Sequence, residues 1–202
     1  DYKVKMVISI PGMPWSVTKF GTLNGRELDL SKQEDREYLL DWYIDSIYEK
    51  FQAGNYEYID FSGYYWLEEN IVYSQESPAY AGKRVHELGM HYFWIPYYDA
   101  SGNLWGQDLG FDAVAIQPNH YFDEAREPGS QGVIGNKRIE RAAGLASYGQ
   151  AGIEMEFDDR VASDDMTWAN KYIDYLNGAI EYGYGGPDVY RNWYVGGYGL
   201  NK

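Results

Sequence analysis

The sequence predicts an α/β fold of the (β/α)8-barrel type, because strand-like and helix-like patterns alternate along the whole chain. Such alternation produces right-handed βαβ units and therefore a parallel sheet. A doubly wound open sheet would show a glycine-rich phosphate turn after its first strand. The chain has Pro11-Gly12-Met13-Pro14 at that position, which is not such a turn. These observations favour a TIM-barrel-like fold.

The predicted strands are short apolar or alternating runs that end at turn-forming residues. They are Val4–Ile10, Tyr56–Tyr65, His91–Tyr98, Ala113–Pro118, Ile153–Phe157 and Tyr194–Tyr198. The predicted helices show apolar residues at helical spacing. They run from a Ser31/Glu34 capping box to Phe51, from Ser77 to Gly89, from Asn136 to Gly149, and from a Ser163 cap to about Ile180.

Residues 1–202 are predicted to form a single barrel-type domain that is incomplete at its N-terminus. About six βα units are present, whereas a complete barrel has eight and spans about 250 residues. The chain also starts directly in a strand, so we expect one or two N-terminal units to be missing. A missing N-terminal segment or self-association would then be needed to cover the exposed sheet edges.

Charge and composition exclude several classes of function. The chain has 31 acidic and 17 basic residues and a net charge of −14, which opposes binding to nucleic acid or anionic membranes. It has no cysteine, and its three histidines lack the spacing of a zinc site, so we expect no metal and no cofactor. No apolar run is long enough for a membrane span.

The aromatic content favours a carbohydrate partner. The chain has 22 Tyr and 7 Trp against 7 Phe. Tyr and Trp combine an apolar ring with a hydroxyl or an N–H group, which suits partly solvated surfaces. In a sugar site the ring face contacts C–H bonds and the polar atom makes hydrogen bonds. Protein-interaction surfaces and ordinary cores are also rich in tyrosine, and these alternatives stay open.

The segment Gly152–Asp158 alternates apolar and acidic residues with the period of a β-strand. Ile153, Met155 and Phe157 share one face, which we expect to pack under helices. Glu154 and Glu156 share the other face, which we expect to point into the barrel mouth. The alternative is an edge strand whose acidic face is exposed to solvent. Buried carboxylates are costly unless they are paired, hydrogen-bonded or functional.

The strand order points to a pair of catalytic carboxylates. If the last predicted strand is the eighth of a barrel, Glu68 follows the fourth strand and Glu156 lies on the seventh. Retaining barrel glycosidases carry acids at these two strands, one as proton donor and one as nucleophile. We therefore predict Glu68 as the acid, Glu156 as the nucleophile or base, and Glu154 as a residue that tunes Glu156. Against this, the Asn-Glu pair that is usual at the fourth strand of these glycosidases is absent, since Asn70 follows the glutamates here. Glu68 could also lie on the exposed first turn of a loop helix.

Further polar and aromatic residues near strand ends could bind a sugar. The polar candidates are Asp99, Gln117, Asn119 and His120, and the candidates for stacking are Trp66 and Trp94. For Asn119 a turn role after Pro118 is the alternative, for His120 an ordinary loop position, and for Trp94 packing in the core.

Four motifs together resemble a bacterial family that is described as a domain of unknown function. They are Phe93-Trp94-Ile95-Pro96-Tyr97-Tyr98, Leu109-Gly110-Phe111-Asp112, Gln117-Pro118-Asn119 and the acidic strand segment. The resemblance spans nearly all 202 residues. It implies a glycosidase-like barrel, export from the cell and polysaccharide-related work, but it assigns no catalytic residue.

The sequence thus predicts a glycoside hydrolase-like protein, secreted, periplasmic or on the bacterial cell surface, that acts on an oligo- or polysaccharide through paired carboxylates. One alternative is a carbohydrate-binding barrel without catalysis. Another is a tyrosine-rich domain that binds protein.

Overall fold

The computed structural model describes residues 2–71, 75–122 and 134–196, with side chains from residue 137 onward in the last range. The chain divides into two compact units. The first comprises Asp1–Trp94 and Trp105–Asp112, and the second Ile95–Leu104 and Ala113–Lys202.

The first unit contains parallel strands, a small hairpin and two helices. Its elements are β1 (Val4–Ile10), β2 (Gly21–Leu23), β3 (Arg26–Leu28), α1 (Gln33–Gly54), β4 (Ile59–Trp66), α2 (Glu76–Glu87) and β5 (His91–Trp94). Strand β4 pairs in parallel with β1 on one side and with β5 on the other. The carboxyl ends of these three strands therefore meet at one edge of the sheet.

The hairpin β2–β3 was not predicted, although the sequence carries its signal. Asn24 and Gly25 connect the two antiparallel strands, and both have positive φ angles, 50° and 82°. Asn-Gly at such a turn is the strongest short-range hairpin signal in a sequence. The hairpin lies in the connection from β1 to α1, beyond the carboxyl end of β1.

Helix α1 begins one residue later than its predicted capping box implies. Lys32 is the residue before the helix and makes no side-chain cap. The Ser31 hydroxyl instead donates to the Asp29 carboxylate, 2.5 Å away. The predicted capping box is therefore wrong, because Asp29 competes successfully for the serine.

Large aromatic side chains form the core of the first unit. Tyr64, Trp66, Tyr92 and Trp94 are all fully buried or nearly so. The Tyr64 hydroxyl donates to the Ile44 carbonyl of α1, 2.7 Å away, which satisfies its polar end inside the core. Through these rings β4 packs against α1 and β5 against α2.

The second unit repeats the strand-helix alternation. Its elements are β6 (Ala113–Ile116), α3 (Ile134–Tyr148), β7 (Gly152–Phe157), a short 3-10 helix (Asp159–Ala162), α4 (Met166–Glu181) and β8 (Arg191–Val195). Strand β7 pairs in parallel with β6 and β8. The acidic strand β7 therefore has a neighbour on both sides, and the alternative of an edge strand with a solvent-exposed acidic face is wrong.

Helix α4 also begins later than predicted. Asp165, and not Ser163, caps it by accepting a hydrogen bond from the Thr167 backbone N–H at 2.9 Å. Ser163 instead ends the 3-10 helix, which the sequence reasoning missed. Aspartate at this position also favours the helix dipole.

The α/β class and the parallel strands are confirmed. The structure has all six predicted parallel strands, with ends that differ by a few residues, and the predicted strand Tyr194–Tyr198 lies earlier, at Arg191–Val195. A (β/α)8 barrel that is incomplete at its N-terminus and a single domain stay predictions. No helix in the described ranges is both long enough and apolar enough to cross a lipid bilayer.

Candidate functional site

Glu68 lies just beyond the carboxyl end of β4, in the first unit. The Glu68 carbonyl accepts a hydrogen bond from the Trp94 indole N–H at 2.8 Å, which fixes the backbone there. Its side chain packs against Gly12, in the loop after β1. A Cβ placed on Gly12 would lie 3.2 Å from the Glu68 carboxylate oxygen Oε2, so glycine leaves the room that this carboxyl uses.

The Glu68 carboxyl has a perturbed acidity. The residue as a whole is exposed, but packing removes its carboxyl from part of the solvent, and this burial raises its pKa above the usual value. Among the described residues, no hydrogen bond or charge opposes this effect of burial on the pKa of Glu68. A carboxyl of this kind holds its proton to higher pH, as a general acid requires.

Glu156, on β7 in the second unit, has a very different setting. Its Oε1 accepts the backbone N–H of Asn119 at 3.1 Å. Its Oε2 accepts the backbone N–H groups of His120 at 2.9 Å and Tyr121 at 3.3 Å, together with the hydroxyl of Tyr175. The carboxylate is 1% exposed. It therefore holds the loop after β6 against α4.

The position of Glu156 corrects one expectation. Phe157 contacts Tyr172 of α4, with ring centroids 5.2 Å apart, as expected for the apolar face. The Glu156 carboxylate, however, also reaches α4 at Tyr175. The predicted separation of an apolar helix side from an acidic mouth side is therefore wrong at Glu156. The donors of the β6 loop and α4 offset part of the cost of burying this carboxylate.

Burial is the largest influence on the acidity of Glu156 and raises its pKa. The hydrogen bonds from Tyr175 and from the backbone of the β6 loop oppose that effect without cancelling it. Removal from water is therefore the main cause of the raised pKa of Glu156.

Glu154 is also buried, at 2% exposure, and accepts a hydrogen bond from the Asn192 side chain of β8 at 2.8 Å. Asn192 lies directly opposite it in the strand register. This contact joins β7 to β8. The predicted tuning of Glu156 by Glu154 stays a prediction.

The polar candidates after β6 support the fold around Glu156. Asn119 has a positive φ of 51°, and its carbonyl accepts a hydrogen bond from Arg138, which fits the turn role. The buried His120 places Nε2 2.9 Å from Asp174 of α4. The backbone of Gln117 pairs with Pro96 and Tyr98. Sugar binding by these residues stays a prediction.

The remaining candidates divide between surface and core. Asp99 is exposed and pairs with Arg141 at 2.7 Å. Trp66 and Trp94 are 1% and 0% exposed, and Trp94 stacks on Phe111 with ring centroids 5.1 Å apart. Core packing therefore describes both tryptophans. Neither offers a ring face on which a sugar could stack.

A polar cluster at the end of β7 was not predicted. Asp158 accepts hydrogen bonds from Arg160 and from the Tyr121 hydroxyl. Burial would raise its pKa, but these hydrogen bonds and the Arg160 charge lower it overall. The Arg160 guanidinium also lies 3.5 Å from the ring centroid of Trp168. Only Asp158 had a sequence signal, as the end of the acidic strand.

In the described residues, no three His, Asp or Glu side chains converge into a group that could hold a metal ion.

Comparison with known proteins establishes the family. The domain of unknown function DUF4855 matches residues 1–201, so the chain belongs to that family and the resemblance of its motifs is confirmed. No protein with a curated description matches the chain. Among solved structures, a proposed alpha-L-fucosidase from Bacteroides thetaiotaomicron is similar, with 19% identity and a TM-score of 0.44. The match covers 80% of this chain and 53% of that one, so the chain spans about half of its length.

Proposed function

We propose that this protein is a glycoside hydrolase-like protein in which Glu68 is the proton donor. The observation that carries the proposal is the Glu68 carboxyl at the carboxyl end of a parallel strand, packed on Gly12, with its pKa raised by burial. Ligands and catalytic groups collect at this end of the strands in α/β proteins. The abundance of Tyr and Trp supports a carbohydrate as the partner.

The chemistry would follow the general scheme for glycosides. Glu68 gives its proton to the glycosidic oxygen as the bond from that oxygen to the anomeric carbon breaks. Water supplies the hydroxyl group that the anomeric carbon gains, and the remaining proton of that water returns to a carboxylate. The products are a free sugar and a protonated leaving group, so the atoms balance.

Glu156 enters this proposal as the predicted nucleophile or base. Its four hydrogen-bond donors and its burial stabilise it where it is, so it would have to leave them before it could meet a substrate. Asp158 directly follows Phe157, the last residue of β7. Its pKa is lowered whereas that of Glu156 is raised, so Asp158 is the stronger candidate for a charged group at that strand end.

The test is hydrolysis of a panel of oligo- and polysaccharides, followed by detection of new reducing ends. We expect Glu68→Gln to lose activity by a factor of about 100 or more. Glu69→Gln is the matched control, since Glu69 is the next residue and is exposed. Hydrolysis by wild type that survives in Glu68→Gln would overturn the assignment of the acid.

A second candidate is a carbohydrate-binding protein without catalysis. The observation that favours it is the complete engagement of Glu156, which leaves the predicted pair with one accessible carboxyl. This candidate predicts co-sedimentation with an insoluble polysaccharide and no new reducing ends. Release of reducing ends that depends on Glu68 would exclude it.

The proposal also concerns what covers the edge of the sheet and where the protein is located. In the first unit, β1 pairs with β4, and it exposes Val4 and Val7. We propose that an added segment or a second copy of the chain covers this edge, because unpaired strands invite pairing. A secreted or periplasmic location is part of the same proposal, and fractionation of the native bacterium would test it.

A further inference from the structure

The first unit contains an apolar cavity of about 400 Å³ at the carboxyl end of β1. Its walls come from the loop after β1, the hairpin and α1. The side chains that matter here are Met13, Phe20, Leu39, Trp42 and Tyr43. A volume of this size suits a small ligand or one part of a larger one.

The cavity is next to the proposed acid. Gly12 lines the cavity, and the same residue packs against the Glu68 carboxyl. A group held in the cavity would therefore be separated by little more than Gly12 from the carboxyl that protonates the departing oxygen. In a glycoside this is the position of the leaving group.

The lining excludes a second sugar as the best occupant. The Tyr43 hydroxyl already donates to the Ser9 carbonyl at 2.8 Å, so its polar end is engaged. Sugar hydroxyls buried against the apolar side chains here would lose hydrogen bonds to water without replacement, which is costly. An apolar group loses nothing of that kind.

The rings make the cavity suited to an aromatic group. Trp42 and Phe20 are 41% and 48% exposed, which is high for large apolar side chains, and both line this cavity. Ring-on-ring contacts add to the area buried, so an aromatic ligand gains more here than a saturated ring of equal size.

We propose that this cavity binds an aromatic group on the leaving-group side of a glycoside, which makes aryl- or benzyl-substituted glycosides the substrate class. This inference rests on the proposed function for its link to Glu68. The binding of the aromatic group itself can be measured without catalysis.

The experiment measures the affinity of phenol, and of cyclohexanol as the saturated counterpart, by calorimetry and ligand-observed NMR. We expect phenol to bind the wild type more tightly than cyclohexanol does. Trp42→Ala should weaken phenol binding by about tenfold. Trp105→Ala is the matched control, because Trp105 is in the same unit, is 42% exposed and is not among the cavity-lining residues.

The outcomes separate this inference from the proposed function. Phenol binding that is absent, that equals cyclohexanol binding, or that falls equally in Trp105→Ala would overturn the inference. Glu68→Gln should bind phenol as the wild type does. Loss of the proposed acid role would therefore show in hydrolysis alone, while failure of the cavity would show in phenol binding.

Discussion

The two units place a glutamate near the carboxyl end of a parallel strand in opposite environments. Glu68 in the first unit is exposed as a residue, packs on Gly12 and has a pKa raised by burial. Glu156 in the second unit is fully buried and accepts hydrogen bonds from three backbone N–H groups and one hydroxyl. Both pKa values are raised, yet only Glu68 has a carboxyl that a substrate could reach.

This difference shows that position on a strand does not by itself define a catalytic carboxylate. The Glu156 carboxyl accepts hydrogen bonds from the loop that contains Asn119, His120 and Tyr121. This carboxyl therefore stabilises the position of that loop. Breaking a buried carboxylate out of such a network costs free energy that must be recovered elsewhere. Glu68 has no such network in the described residues and is free to exchange a proton.

The largest expected effect is the dependence of Glu68→Gln on the leaving group. We expect a loss of about 100-fold or more on benzyl glycosides, whose leaving group needs a proton, and a much smaller loss on 4-nitrophenyl glycosides. Steady-state kcat/KM for both substrates measures this. Equal losses on the two substrates would remove Glu68 from the acid role and erase the contrast with Glu156.

Tyr175→Phe tests the network around Glu156. The change removes one donor from a buried carboxylate and should lower the free energy of unfolding by about 1–2 kcal/mol. Tyr148→Phe is the control, because Tyr148 is in the same unit and is 80% exposed. Urea unfolding compares the variants. If Tyr175→Phe is as stable as Tyr148→Phe, the Tyr175 hydroxyl contributes nothing to the free energy of unfolding.

The smallest expected effect is a pH dependence of stability that is specific to Glu156. Because burial raises the pKa of folded Glu156, the folded protein binds more protons than the unfolded chain above about pH 4.3, the unperturbed value. Stability from this group therefore falls as pH rises through that window.

Urea unfolding of wild type and Glu156→Gln between about pH 4 and pH 7 isolates the contribution of Glu156 to the pH dependence of stability. The stability advantage of the wild type should shrink as pH rises. An advantage that grows with pH would mean that the hydrogen bonds outweigh burial and that the folded pKa is lowered.

Much of the architecture could be predicted from the sequence, because it depends on local periodicity. The strands at Val4–Ile10 and Ile153–Phe157 have strong alternating or apolar patterns, and the structure contains both. The predictions of where two helices begin were wrong because a nearby aspartate changed the role of the predicted serine cap. Ser31 bonds to Asp29, and Asp165 caps α4 in place of Ser163.

The site was harder to predict because burial and donors come from distant parts of the chain. Tyr175 donates to Glu156 across 19 positions, and nothing in the local pattern of α4 marks it as a partner. The Gly12–Glu68 contact likewise joins two loops. By contrast, Asn24-Gly25 was a readable hairpin signal, so the walls of the cavity were within reach of sequence reasoning.

The most direct test of the account compares the unfolding free energies of Glu156→Gln and Glu68→Gln in urea. A glutamine at position 156 turns an amide N–H₂ toward backbone N–H donors, so we expect a loss of about 1–3 kcal/mol. Glu68→Gln should stay within about 0.5 kcal/mol of the wild type, as surface substitutions usually do. Exposed Glu140→Gln and Glu69→Gln are the controls for the two units. Equal stability of the two variants, or a larger loss in Glu68→Gln, would contradict the account.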